Sequence, residues 1–134
     1  MSNPAVSGSV VMRVMTVDDH PIYRGGLAAL IAAFDTLRLV AEASNGREAV
    51  ERYRQHRPDV TLMDLSMPAM DGFATIHQLR RLLGLRDVPV IAVSAHAAPE
   101  IREDALALGC RDFITKPVRI ELLQSAVERH LPKS

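Results

Sequence analysis

The chain has 134 residues, 48% of them hydrophobic, with 16 basic and 16 acidic side chains and a formal net charge of zero. That length and composition suit one domain that buries its own core, and they exclude a low-complexity or disordered chain. The charge is balanced and dispersed rather than gathered into a basic patch, so direct nucleic-acid binding by this segment is not expected.

Met1 to Ser9 lack the basic start and apolar centre of a signal peptide and are expected to form a flexible tail before a folded unit over 10–131. Residues 132–134 would be its end or the start of a linker. Val10 to Val17 is an apolar run that closes on the acidic pair Asp18-Asp19, predicting a first strand. Pro21 then sits well in the first turn of a helix reaching about Phe34, with Asp19 or His20 as its cap. The apolar face of that helix is expected to use Ile22, Leu27, Leu30 and Ile31. Gly25 and Gly26 each weaken it by up to about 1 kcal/mol against alanine, which a tight contact with the sheet would explain. Leu37 to Ala43 predicts a second strand, Ser44-Asn45-Gly46 a turn, and Arg47 to His56 a polar helix halted before Pro58. Val60 to Met63 is an apolar strand that delivers Asp64. A loop over Ser66 to Gly72 leads to a third helix over 73–83. Val88 to Val93 is nearly all β-branched or small, as a strand covered on both faces should be, and it presents Ser94. Pro99 to Leu108 predicts a fourth helix with Gly109 just past its end. Cys110, the single cysteine, reads as a small buried hydrophobe. It rules out an intramolecular disulfide and fits a reducing, cytoplasmic setting. Asp112 to Thr115 predicts a short fifth strand before Lys116. Arg119 to His130 is the closing helix, with Leu122, Leu123, Ala126 and Val127 inward. No apolar run approaches the roughly 18 residues of a membrane span.

Five alternations of strand and helix without a repeat predict an α/β fold, a doubly wound parallel sheet of five strands flanked by five helices. Order 2-1-3-4-5 would bring together the ends of strands one, three, four and five, which are the strands that carry Asp18-Asp19, Asp64, Ser94 and Lys116. Sites in such sheets form at the carboxyl ends of strands, where strand order reverses. Three carboxylates that meet there repel one another unless a hard divalent cation lies among them, and a lysine and a hydroxyl beside it could hold a phosphoryl group. Taken singly, each residue has a plainer reading. Asp18-Asp19 caps a helix, Asp64 is a loop acid, Ser94 bonds its own backbone and Lys116 is solvated. His20, beside two acids, reads as a surface or capping residue rather than a metal ligand. The coincidence at four neighbouring strand ends favours a site.

The segments VDDH (17–20), LMDLSMPAMDG (62–72), AVSA (92–95) and FITKPV (113–118) resemble the receiver domains of two-component response regulators, in family order and spacing. The resemblance covers about residues 12 to 131 and implies the flavodoxin-like fold. DDHPIYRGGL (18–27) and VAEASNGREAV (40–50) are further similar to receivers of the NarL/FixJ type, which precede a helix-turn-helix DNA-binding domain.

Carried over residue by residue, the resemblance makes Asp64 the phosphoacceptor. It implies that Asp18, Asp19, Asp64 and the backbone carbonyl of Ser66 hold Mg²⁺, with Asp19 the direct ligand of the pair and Asp18 acting through water. Ser94 and Lys116 would contact phosphoryl oxygens, and Phe113 would be the aromatic switch, turning inward as Ser94 is drawn to the phosphoryl group. The Lys116-Pro117 bond would be cis. Ser66 and His96, at positions that influence phosphoryl lifetime in the family, are neither carboxamides nor carboxylates, which leads us to expect slow to intermediate autodephosphorylation. The implied function is a Mg²⁺-dependent phosphoacceptor switch fed by a sensor histidine kinase, not a turnover enzyme, with homodimerisation on phosphorylation an open option. Its output would be a transcriptional DNA-binding domain outside this chain. The alternatives are a stand-alone receiver, one from a hybrid kinase, or a phosphorylation-independent pseudo-receiver.

Overall fold

The computed structural model describes residues 11–65, 74, 76–77, 81, 89–95, 98–116 and 118–129. Its strands are the apolar runs of the sequence: β1 (Met12–Val17), β2 (Leu37–Ala43), β3 (Val60–Asp64), β4 (Val90–Ser94) and β5 (Asp112–Thr115). All pairings are parallel and the order is β2-β1-β3-β4-β5. Every residue of β3 and β4 is buried, as expected of central strands covered on both faces. At the β2 edge, by contrast, Arg38 and Glu42 are exposed. The helices delimited among the described residues are α1 (Pro21–Ala32), α2 (Gly46–His56), α3 (Pro99–Ala107) and α4 (Ile120–Arg129). The expected helix over 73–83 falls mostly outside the described residues, of which Ala74, Ile76, His77 and Arg81 are helical.

Alternate strand positions feed two cores. On one face Met12, Val14, Leu62, Ile91, Val93 and Ile114 pack against Leu27 and Ile31 of α1 and Leu123, Ala126 and Val127 of α4. On the other, Met15, Val17, Met63, Ala92 and Phe113 pack against Ala49, Val50 and Tyr53 of α2, Ile76, and Ala105 of α3. Three layers result, with the carboxyl ends of β1, β3, β4 and β5 gathered along one edge of the sheet.

Three local expectations are corrected. Ile22 is 93% exposed and Leu122 is 49% exposed, so neither joins the apolar face assigned to it. The first-turn position of Ile22 faces away from the sheet. Gly25 and Gly26 are not tight contacts, since a Cβ at either would meet nothing within 4 Å. Their cost to α1 is therefore not offset by packing, and Gly25→Ala and Gly26→Ala are each expected to raise stability by up to about 1 kcal/mol in urea titration.

The expected turn at 44–46 instead starts α2. Asn45 Oδ1 accepts from Glu48 N–H at 2.9 Å, and Glu48 Oε1 accepts from both the backbone N–H and the hydroxyl of Ser44 at 2.8 Å. Asn45 thus satisfies one orphan donor at the helix start, and Glu48 reaches back to the residue before the cap. The bonds from Ser44 hold the Glu48 carboxyl below its ordinary value of 4.5. The stabilisation is then fully present above pH 4.5 and is lost as pH falls through the lower folded value. Asn45→Ala should cost about 1 kcal/mol. Glu48→Gln should flatten the acid limb of the stability–pH curve relative to the parent.

Candidate functional site

β1 runs on into Asp18, whose N–H donates to Ala43 carbonyl at 3.0 Å, so the β1–β2 ladder fixes where this acid begins. The side chain is 2% exposed. Its Oδ1 accepts from His20 N–H at 2.8 Å, and its own carbonyl accepts from Arg24 Nη1 at 2.9 Å. Asp64 closes β3 and is likewise 2% exposed. Lys116, just past β5, donates from Nζ to Asp64 Oδ2 at 2.8 Å and lies 3.5 Å from Asp18 Oδ2. Lys116 is held there by its backbone, because its N–H donates to Ser94 carbonyl at 2.7 Å and so ties the exits of β4 and β5 together. Ser94 is buried at the same edge.

The structure thus gathers Asp18, Asp19, Asp64 and Lys116 into one site, with Ser94 beside Lys116. One ligand atom each from Asp18, Asp19, His20 and Asp64 lie within 4.8 Å of one another. Ser66, His96 and Pro117 lie outside the described residues. Phe113 is 8% exposed and packs in the core shared with Ala105.

Charge decides what this site can hold. At about 4 Å and an effective dielectric of about 20, each pair of like charges costs on the order of 4 kcal/mol. One ammonium cannot offset three carboxylates so close together. Asp19 Oδ1 makes the imbalance visible. It is buried without a hydrogen-bond partner among the described residues, although His20 Nδ1 stands 3.0 Å away. The imidazole stands within ion-pair distance of this oxygen without a hydrogen bond joining them. An acid oxygen that is buried, unbonded and next to two further carboxylates fits a hard divalent cation, which takes oxygen ligands and keeps several of its waters.

Two contributions escaped the sequence reading. His20 stands at the N-cap position of α1 with an exposed ring, as expected, yet its Nδ1 also comes beside the carboxylates, and Arg24 orients Asp18 through its carbonyl. Adjacency to the acidic pair was the available signal for His20. No local signal marked Arg24, whose role depends on α1 turning it back towards β1. Among the described residues no helix is long and apolar enough to cross a membrane.

The site electrostatics are testable in the protein itself. Asp19→Asn removes one repelling charge, so in chelator-treated buffer it should raise stability by roughly 1 kcal/mol, and a stabilisation of the parent by added Mg²⁺ is expected to be lost in the variant. Thermal unfolding of both proteins with and without the ion measures this.

Comparison with known proteins agrees with the geometry. The chain is 38% identical over 125 residues to the signal transduction histidine-protein kinase BarA of Shigella flexneri, covering 93% of this chain and 13% of that protein. It therefore spans only a small part of that relative. The signal receiver domain of the response regulator NarL from Mycobacterium tuberculosis superposes with a TM-score of 0.79 at 33% identity, covering 90% of this chain and 95% of that one. The receiver domain of sensor histidine kinase PA1611 from Pseudomonas aeruginosa, described with a magnesium ion in its active site cleft, gives a TM-score of 0.77 at 28% identity. That match covers 90% of this chain and 97% of the other. Residues 14–128 match the family described as response regulator receiver domain, and the chain belongs to that family.

Proposed function

We propose that the chain is a phosphoacceptor switch in which Asp64 receives a phosphoryl group from the phosphohistidine of a sensor histidine kinase or from a small donor. The observation that carries this reading is the Lys116–Asp64 contact of 2.8 Å within a site that also holds Asp18 and Asp19. In the transfer an Asp64 carboxylate oxygen bonds to phosphorus as the bond to the donor nitrogen breaks, leaving an acyl phosphate on Asp64 and a free histidine. Attack by water later returns the carboxylate and inorganic phosphate. No external substrate is turned over.

An anionic nucleophile must approach an anionic phosphoryl group, and positive charge has to remove that repulsion. Lys116, now bound to Asp64, is a compact cation on a flexible stem that can pass to a phosphoryl oxygen while staying anchored by its backbone bond to Ser94. The Ser94 hydroxyl is assigned a second phosphoryl oxygen. Asp18, Asp19, Asp64 and the Ser66 carbonyl are assigned to Mg²⁺, which when bound neutralises charge on both carboxylate and phosphate. Arg24 and His20 N–H hold Asp18 in place for this.

Phe113 is assigned the switch. The ring, buried in the core that includes Ala105 of α3, would turn inward into the space vacated as Ser94 is drawn to the phosphoryl group. Moving such an element from 1:99 to 99:1 takes about 5.5 kcal/mol, which several charge-assisted bonds to a phosphoryl group can supply.

The NarL/FixJ-like motifs support a transcriptional DNA-binding output outside these residues, in a cytoplasmic regulator, with homodimerisation on phosphorylation an open option. The 38% identity to BarA favours a second reading, a receiver within a hybrid kinase phosphorelay. Intact mass after incubation with acetyl phosphate tests the core of the proposal. One phosphoryl adduct is expected with Mg²⁺, with none in EDTA and none in Asp64→Asn. No adduct from either acetyl phosphate or a phosphorylated histidine kinase would leave a pseudo-receiver.

A further inference from the structure

Of the four side chains that come within ligand distance of one another at the sheet edge, one is not an oxygen donor. His20 Nδ1 lies 3.0 Å from Asp19 Oδ1 and 3.4 Å from Asp18 Oδ1. The ring is not committed to a hydrogen bond with Asp19, whose facing oxygen has no such partner among the described residues. The ring is also accessible, being 56% exposed, so it can turn without repacking the core. Two donors bound at right angles to one ion, with bonds of about 2.1 Å, stand about 3.0 Å apart. The Nδ1–Asp19 separation of 3.0 Å matches the edge of such an octahedron, and the same nitrogen lies within 4.8 Å of ligand atoms of Asp18 and Asp64.

We infer that His20 is a metal-selectivity residue, and that it adds an imidazole nitrogen to the carboxylate site for borderline ions such as Co²⁺, Ni²⁺ and Zn²⁺ while contributing little to Mg²⁺. This inference rests on the cation site proposed above and says which ions that site prefers. Mg²⁺ is hard and takes oxygen ligands and water, whereas imidazole suits later first-row ions. The nitrogen therefore widens the affinity gap between these ions beyond what three carboxylates produce. A competing role is electrostatic, with His20 acting as a cation paired to the acids. The two roles separate cleanly. A ligand that is lost weakens Co²⁺ alone, whereas a cation that is lost strengthens every divalent ion together.

His20→Ala keeps the backbone N–H that bonds Asp18, so it deletes the ring and leaves the acid in place. Calorimetric titration of MgCl₂ and, separately, CoCl₂ into the parent and the variant reads the effect. A metal-ligating group lost outright should weaken Co²⁺ by about tenfold or more, the lower bound seen when even outer-shell partners are removed, with Mg²⁺ changed less than about twofold. The parent's Co²⁺ complex should also show a paramagnetically shifted imidazole N–H proton resonance that His20→Ala lacks. No change for either ion, equal weakening of both, or equal strengthening of both, with the phosphoryl adduct on Asp64 still formed, overturns the inference and leaves the cation site standing. Failure of the parent to bind either ion, with binding and the adduct both absent, overturns both.

Discussion

The contact between Lys116 and Asp64 is the point around which the site is organised. Each group is expensive to bury by itself, and Asp64 is 2% exposed. Together they are affordable, and the pair brings the exits of β3 and β5 to a fixed separation across β4. The Lys116 N–H to Ser94 carbonyl bond makes the arrangement independent of the long, flexible stem, because the backbone of the lysine is already registered with the sheet. Asp18 is then placed by a different device, the β1–β2 ladder and the Arg24 guanidinium. The acids therefore converge because the backbone leaves them no other place, and their mutual repulsion is what the site has available to drive ligand capture.

Much of this was legible from residue order. Strands buried on both faces must be continuously apolar, so β3 and β4 announced themselves. The confinement of chemistry-bearing residues to the ends of four of five strands selected the 2-1-3-4-5 order, and with it the meeting of Asp18, Asp19, Asp64 and Lys116. Family motifs named the same residues from a different direction.

Other features depended on context that no local pattern carries. Ile22 has the composition of a core residue, yet the first turn of α1 faces it outward, and Leu122 in the first turn of α4 is exposed in the same way. Gly25 and Gly26 suggested close packing but stand in open space. Asn45 looked like a turn residue and is a helix cap, two roles its short side chain serves equally well and that only the Glu48 bond distinguishes. His20 and Arg24 became part of the site through three-dimensional proximity created by α1 folding back over the end of β1.

The two charged partners at the centre are 52 positions apart in sequence, and β4 with Ser94 comes from between them. No short peptide, and no partly assembled sheet lacking β5, can present both halves. Closing so long a loop is entropically unfavourable and is repaid only when the last strand docks. Assembly of the site is thereby linked to completion of the fold, since neither half of the charged pair meets the other until the last strand is in place.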